Sequence, residues 1–159
     1  VSATGNELGG RWLQRVLGDE FTVPFMKDVY YGSHIDSTMV ALKPGLLLAN
    51  PARLSPDTIP SFLKQWEILF SPPMENQDRY SAAYLEQAIG SEWIDMNLFS
   101  LGPDTVVVDR DQTALIQLLE SHQMEVIPLK LRHSRMMGGG FHCVTLDTRR
   151  RGKMESYFD

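Results

Sequence analysis

Apolar positions along this chain switch between a helical and an extended period, and the switches outline its elements. Leu8, Trp12, Val16 and Leu17 recur at or beside four-residue spacing, and Gly18 follows, so the spacing predicts a helix over Asn6 to Leu17 that a glycine stops. Phe21 to Met26 reads as a short strand, weakened by Pro24. Met39 to Leu42 and Leu46 to Ala49 flank Lys43-Pro44-Gly45 and predict a hairpin. Pro56 to Trp66 predicts a helix with Ser55 as N-cap and Ile59, Phe62, Leu63 and Trp66 inward. Ile68 to Phe70 returns as a strand, closed by Pro72-Pro73.

The same order then recurs. Met96 to Leu101 and Thr105 to Val108 predict a hairpin about Gly102-Pro103-Asp104, Gln112 to Ser121 a helix with Leu115, Leu118 and Leu119 inward, and Glu125 to Leu129 the returning strand. Pro44 and Pro103 are 59 residues apart, and so are Ile35-Asp36 and Ile94-Asp95. Repetition of a strand-strand-helix-strand unit implies a modular α/β fold in which each unit needs its neighbours to bury its faces. The units run approximately over 33–73, 92–131 and 141–159, with 1–32 as the end of a preceding one, all in a single domain over 1–159. Val144-Thr145-Leu146 is a β-favouring run that would start the third unit with Cys143 at the head of a strand. Equivalent strand starts arranged around an axis converge on one end of it. One site could therefore collect His34, Asp36, Ser91, Asn97 and Cys143.

Composition narrows the function classes. The 159 residues are 43% hydrophobic and 22% charged, ordinary for one globular domain, and the net charge of −5 argues against nucleic acid or an anionic membrane as the main partner. Arg149-Arg150-Arg151 is the one basic run and reads as a solvated strand end. A single cysteine fits a reducing, cytoplasmic setting, and no apolar run approaches the ~20 residues of a membrane helix. The first residue is Val1 and the pattern begins mid-way, so an N-terminal portion, with any targeting signal, is expected upstream.

The candidate chemistry centres on that cysteine. Gly138-Gly139-Gly140 lets the backbone take positive φ and approach a ligand closely just ahead of Cys143, which could then serve as a nucleophile given a base or a positive field. A buried structural thiol behind a glycine-rich turn is the alternative. His142, its neighbour, would face the other side of a strand and serve packing or support. One thiol without Cys-x-x-Cys or His-x-x-x-His spacing makes a poor metal site, and no cofactor is expected.

Four words of the chain together resemble one family: Ser33-His34-Ile35-Asp36-Ser37-Thr38, Asn50-Pro51-Ala52-Arg53, Trp93-Ile94-Asp95-Met96-Asn97, and Gly138 through Cys143 with the Arg149-Arg150-Arg151-Gly152 tail. They are similar to the arginine:glycine amidinotransferases and their bacterial relatives, within the pentein superfamily of five-bladed β/α propellers. The resemblance covers the C-terminal part of such a protein and implies a partial propeller. It places the nucleophile on Cys143, which would attack the guanidino carbon of arginine, release ornithine and carry the amidino group to an amine acceptor. His34 resembles the general acid and base. Asp36 resembles the carboxylate that pairs with the guanidinium, Arg53 the arginine that binds a substrate carboxylate, and Ser91 a substrate-contacting serine, with Ser33 and Asn97 among the substrate contacts. Gly90 and Ser33 depart from the animal glycine enzyme, which has serine and methionine there, so glycine is not implied as the acceptor. The family's remaining catalytic carboxylates lie in its N-terminal half, so this portion is expected to be incomplete on its own.

The leading expectation is thus an amidinotransferase acting on small molecules, arginine and an amine, with a homodimer open as its assembly. A deiminase-like guanidine hydrolase of the same superfamily and a non-catalytic pentein-like binding module are the alternatives. Products separate the first two, and indifference to loss of the Cys143 thiol would mark the third.

Overall fold

A computed structural model describes residues 5–27, 29, 35–76, 86, 90–133 and 138–152. Two three-stranded sheets are built on one plan. In the first, β1 (Met39–Lys43) and β2 (Leu46–Ala49) form an antiparallel hairpin, and β3 (Glu67–Phe70) returns parallel to β2. In the second, β4 (Phe99–Ser100) pairs antiparallel with β5 (Thr105–Asp109), and β6 (Glu125–Leu129) returns parallel to β5 across a helix, here α2 (Thr113–Ser121). The 59-residue offset persists in three dimensions: β2 and β5 begin at Leu46 and Thr105, and short 3-10 turns occupy Ile35–Ser37 and Ile94–Met96. The result is part of an α/β propeller.

The central strand explains why Leu46-Leu47-Leu48-Ala49 carries no polar residue. All four are buried, because alternate side chains enter two different cores. Leu46 and Leu48 join Leu69, Trp93, Met96, Val106, Val108, Leu115 and Leu119 in a core shared by both sheets. Leu47 and Ala49 face the opposite way, onto Leu54, Ile59, Leu63 and Trp66. The sheets are therefore glued by apolar contact on one side, and Lys43 reaches Asp104 at 3.4 Å between the hairpin ends.

Three predicted elements differ. Residues 56–66 do not form a helix: one turn starts at Ser55, whose carbonyl accepts from Thr58 and Ile59, but Pro60 has an extended ψ of 139° and only a 3-10 turn at Ser61–Leu63 follows. A proline inside a helix lacks the N–H that the ladder needs. The apolar face is right nonetheless, since Ile59, Leu63 and Trp66 are buried. Phe21 to Met26 is no strand; Pro24 lies within it, and Gln14 holds the segment through Phe21 O and Val23 N instead. Cys143 does not head a strand either. Residues 141–144 form a turn, and Val144 and Leu146 are exposed at 58% and 85% with no sheet partner among the described residues.

The first helix, α1 (Glu7–Leu17), forms as its caps dictate. The Asn6 side chain accepts from Gly9 N at 2.9 Å and Gly18 ends it at φ 72°. No residue of it is buried.

Candidate active site

The Cys143 loop is shaped by three contacts with one residue. Asn97 follows the turn Ile94–Met96, and its Oδ1 accepts the Cys143 backbone N–H at 3.0 Å while its carbonyl accepts from His142 N at 3.3 Å. Gly140 lies so close that an added Cβ would sit 2.6 Å from Asn97 Cβ and O. Gly138 takes a φ of 74°, where a side chain would be strained. The glycine run thus serves both purposes read from it, a left-handed turn and a close approach. Thr145 closes the loop by donating its N–H and hydroxyl to His142 O.

Asp36 enters the site from the matching turn of the first unit, and those two turns pack together. His142 Nδ1 lies 2.9 Å from Asp36 Oδ2. A carboxylate only accepts, so Nδ1 carries the proton and the imidazole is fixed in orientation. This corrects the placement of His142 on the far side of a strand: in a turn, the strand alternation that separated it from the site does not apply. The corresponding Asp95 has another task. It is buried and accepts from Gln112 Nε2 at 2.8 Å.

The thiol itself is exposed. Its pKa is nevertheless pushed up, chiefly by partial desolvation and then by the Asp36 charge, against the lowering effects of the Gly140 backbone and the Asn97 side chain. At rest the group is held as a thiol. A cavity of about 260 Å³ opens against the neighbouring His142, with Asp36, Asp147 and Arg150 also on its walls. Arg150 donates to Asp147 at 2.8 Å and to Ser100 O at 2.7 Å, which ties the middle of the basic run to β4.

Arg53 and Ser91 form a second cluster. Arg53 Nη1 donates to Ser37 O, Ser37 Oγ and Thr38 Oγ1 at 2.8 to 2.9 Å, and Nη2 reaches Ser91 Oγ at 3.2 Å. Ser37, Thr38 and Ser91 are all buried. One guanidinium therefore joins the segment after Asp36 to the entrance of the second unit. His34 and Ser33 lie outside the described residues. Among the described residues no group of three or more His, Cys, Asp or Glu side chains is placed to hold a metal ion, and no helix is long and apolar enough to cross a membrane.

No family model matches the chain. It is, however, 47% identical over 157 residues to inosamine-phosphate amidinotransferase 1 of Streptomyces glaucescens, and 37% identical over 153 residues to the L-arginine:L-lysine amidinotransferase of Pseudomonas savastanoi pv. phaseolicola. These alignments take in 99% and 96% of this chain but 44% and 40% of the relatives. Among solved structures, the inosamine-phosphate amidinotransferase of Streptomyces griseus superimposes on 100% of the chain with a TM-score of 0.90 at 48% identity, across 44% of its own length. An amidinotransferase of the saxitoxin biosynthetic pathway from Microseira wollei matches with a TM-score of 0.82 at 32% identity. The chain is thus homologous to amidinotransferases and has their fold, and it spans less than half of their length.

Proposed function

We propose that this chain carries the thiol side of an amidinotransferase active site and that Cys143 is its nucleophile. The supporting observation is the glycine loop, fitted against Asn97, that holds an exposed Cys143 next to the Asp36–His142 pair, in a chain homologous throughout to amidinotransferases.

The chemistry follows from the groups present. Arginine brings a planar cation, and Asp36 suits it by charge-assisted hydrogen bonding. Docking the cation offsets the carboxylate charge that raises the Cys143 pKa, so the thiol loses its proton most readily when substrate is in place. The thiolate then adds to the guanidino carbon. Collapse breaks the bond from that carbon to the side-chain nitrogen, which takes up a proton and leaves as the amine of ornithine. An acceptor amine attacks the resulting amidino-thioether, gives up a proton and restores the thiolate. His34 is the proposed carrier of these protons. Ser33, Arg53 and Ser91 are proposed around the substrate, with Arg53 acting from the position that Ser37, Thr38 and Ser91 impose on it.

Peptide mass spectrometry after incubation with arginine and no acceptor tests the proposal, with Cys143→Ser as the blank. An amidino adduct on Cys143 with release of ornithine is the expected result, and acceptor amines are then identified by their ability to discharge it. Citrulline and ammonia instead would make the protein a hydrolase, and turnover in the Cys143→Ser variant would remove the nucleophile from the scheme.

A further inference from the structure

Asn97 was read as a substrate contact, but its surroundings in the structure give it different work. It is 1% exposed, which leaves little room for a ligand to reach it. Its side-chain oxygen is already committed to the Cys143 N–H, and its main-chain oxygen to the His142 N–H. An N–H can bond only to the oxygen end of an amide, so the orientation of the carboxamide is settled and its NH2 group is directed away from that N–H. That Nδ2 is buried and makes no complete hydrogen bond. Leaving a buried donor unsatisfied costs on the order of 1–3 kcal/mol, so a donor kept in this state beside a reactive group is an expense that needs a reason.

We infer that Asn97 is the positioning residue for the nucleophile: Oδ1 clamps the Cys143 backbone, and Nδ2 is held ready to donate to negative charge as it develops on the sulfur. The inference rests on the proposed role of Cys143 and extends it. Three features of the site agree with it. The Asn97 side chain already favours the thiolate over the thiol, in opposition to the desolvation and the Asp36 charge that disfavour it. Gly140 is stacked against Asn97 with no room for a methyl group, so the loop and the amide are fitted to each other. Asn97 also sits one residue beyond the turn Ile94–Met96, whose packing against Ile35–Ser37 couples the clamp to the turn that presents Asp36.

The test separates the two ends of the amide. Asn97→Asp keeps the oxygen that accepts from Cys143 N and replaces the donor by a second acceptor with a negative charge. Asn97→Ala removes both. The readouts are the pH profile of Cys143 alkylation by iodoacetamide, followed on the Cys143 peptide by mass spectrometry, and the thermal midpoint by circular dichroism. The inference expects Asn97→Asp to shift the alkylation profile to higher pH, with a rate about tenfold lower at pH 7. It also expects Asn97→Asp to melt above Asn97→Ala. An unshifted profile in Asn97→Asp overturns the role of Nδ2, and an Asn97→Ala protein with the wild-type midpoint and profile overturns the clamp. Should Asn97→Ala fail to fold, the Asn97→Asp profile alone decides. Alkylation uses no arginine, so a failure of the amidino-transfer reading would appear in the adduct experiment and leave this one intact.

Discussion

Replacing Gly140 by Ala should injure the site in proportion to a distance already fixed. The new Cβ would be 2.6 Å from Asn97 Cβ and O and 2.7 Å from Asn97 Oδ1, whereas ordinary contact begins near 3.4 Å, so something must move by about 0.8 Å. Asn97 cannot easily yield. It is 1% exposed, and its backbone oxygen is held by His142 N. The displacement therefore falls on the loop that carries Cys143. Overpacking of this kind costs about 1–3 kcal/mol, and about 2 kcal/mol corresponds to a fall in Tm of about 4–8 °C for a domain of this size. Misplacing a reacting atom by close to 1 Å lowers the rate on the order of 10- to 100-fold. Gly102→Ala is the matched control, because nothing lies within 4 Å of its Cβ position; its Tm should stay within about 2 °C of the wild type. Thermal melts and the rate of adduct formation on Cys143 measure both effects. A Gly140→Ala protein with wild-type Tm and rate would refute the claim that the loop is fitted to Asn97.

Two further outcomes follow from the same contacts. Asp36→Asn removes a charge that raises the Cys143 pKa, and below that pKa the alkylation rate tracks the thiolate fraction, so alkylation at neutral pH should quicken by about 2- to 5-fold. Adduct formation from arginine should fall in the same variant; a fall in both rates would show that Asp36 holds the loop rather than acting by charge. Gln112→Ala deletes the bonds from Nε2 to buried Asp95 and to Glu75 O, and the one that Oε1 accepts from Glu75 N. It should cost about 1–3 kcal/mol, read as a lower urea midpoint at unchanged slope, and an unmoved midpoint would sink the assignment.

The repeat was legible because its signal is local. Leucine and valine runs, turn residues and the 59-residue offset each lie within a few positions of one another, and β2, β5, β6 and α2 appear almost where the periodicity puts them. Pro60 shows the limit of periodicity: Ile59, Leu63 and Trp66 are inward as the helical spacing requires, but the backbone that brings them there is not a helix. The Cys143 loop was misread for a related reason. A β-favouring triplet states a preference, and it becomes a strand only when a neighbouring strand offers its backbone groups. The repeat placed Asp36, Asn97 and Cys143 at one end, but it did not say which atoms pair there, since Asp36 meets His142 across 106 residues and the Asn97 amide meets the Cys143 backbone across 46. The glycine triplet did point toward a close approach. Nothing in it named Asn97 as the surface approached.

The hairpins divide the molecule into two ends with unequal freedom. Asp36 precedes β1, and Lys43 lies at the far end of that strand, roughly 13 Å from its start at the usual rise of an extended chain. The turns beyond, at Gly45 and Gly102, have open space around them. Loop tips of this kind accept insertions and attachments with little penalty. An affinity handle or a fluorophore grafted at Gly102 would thus leave the cysteine end untouched, and lengthening of the chain over time would be expected to accumulate at these tips while the opposite rim stays constant in length.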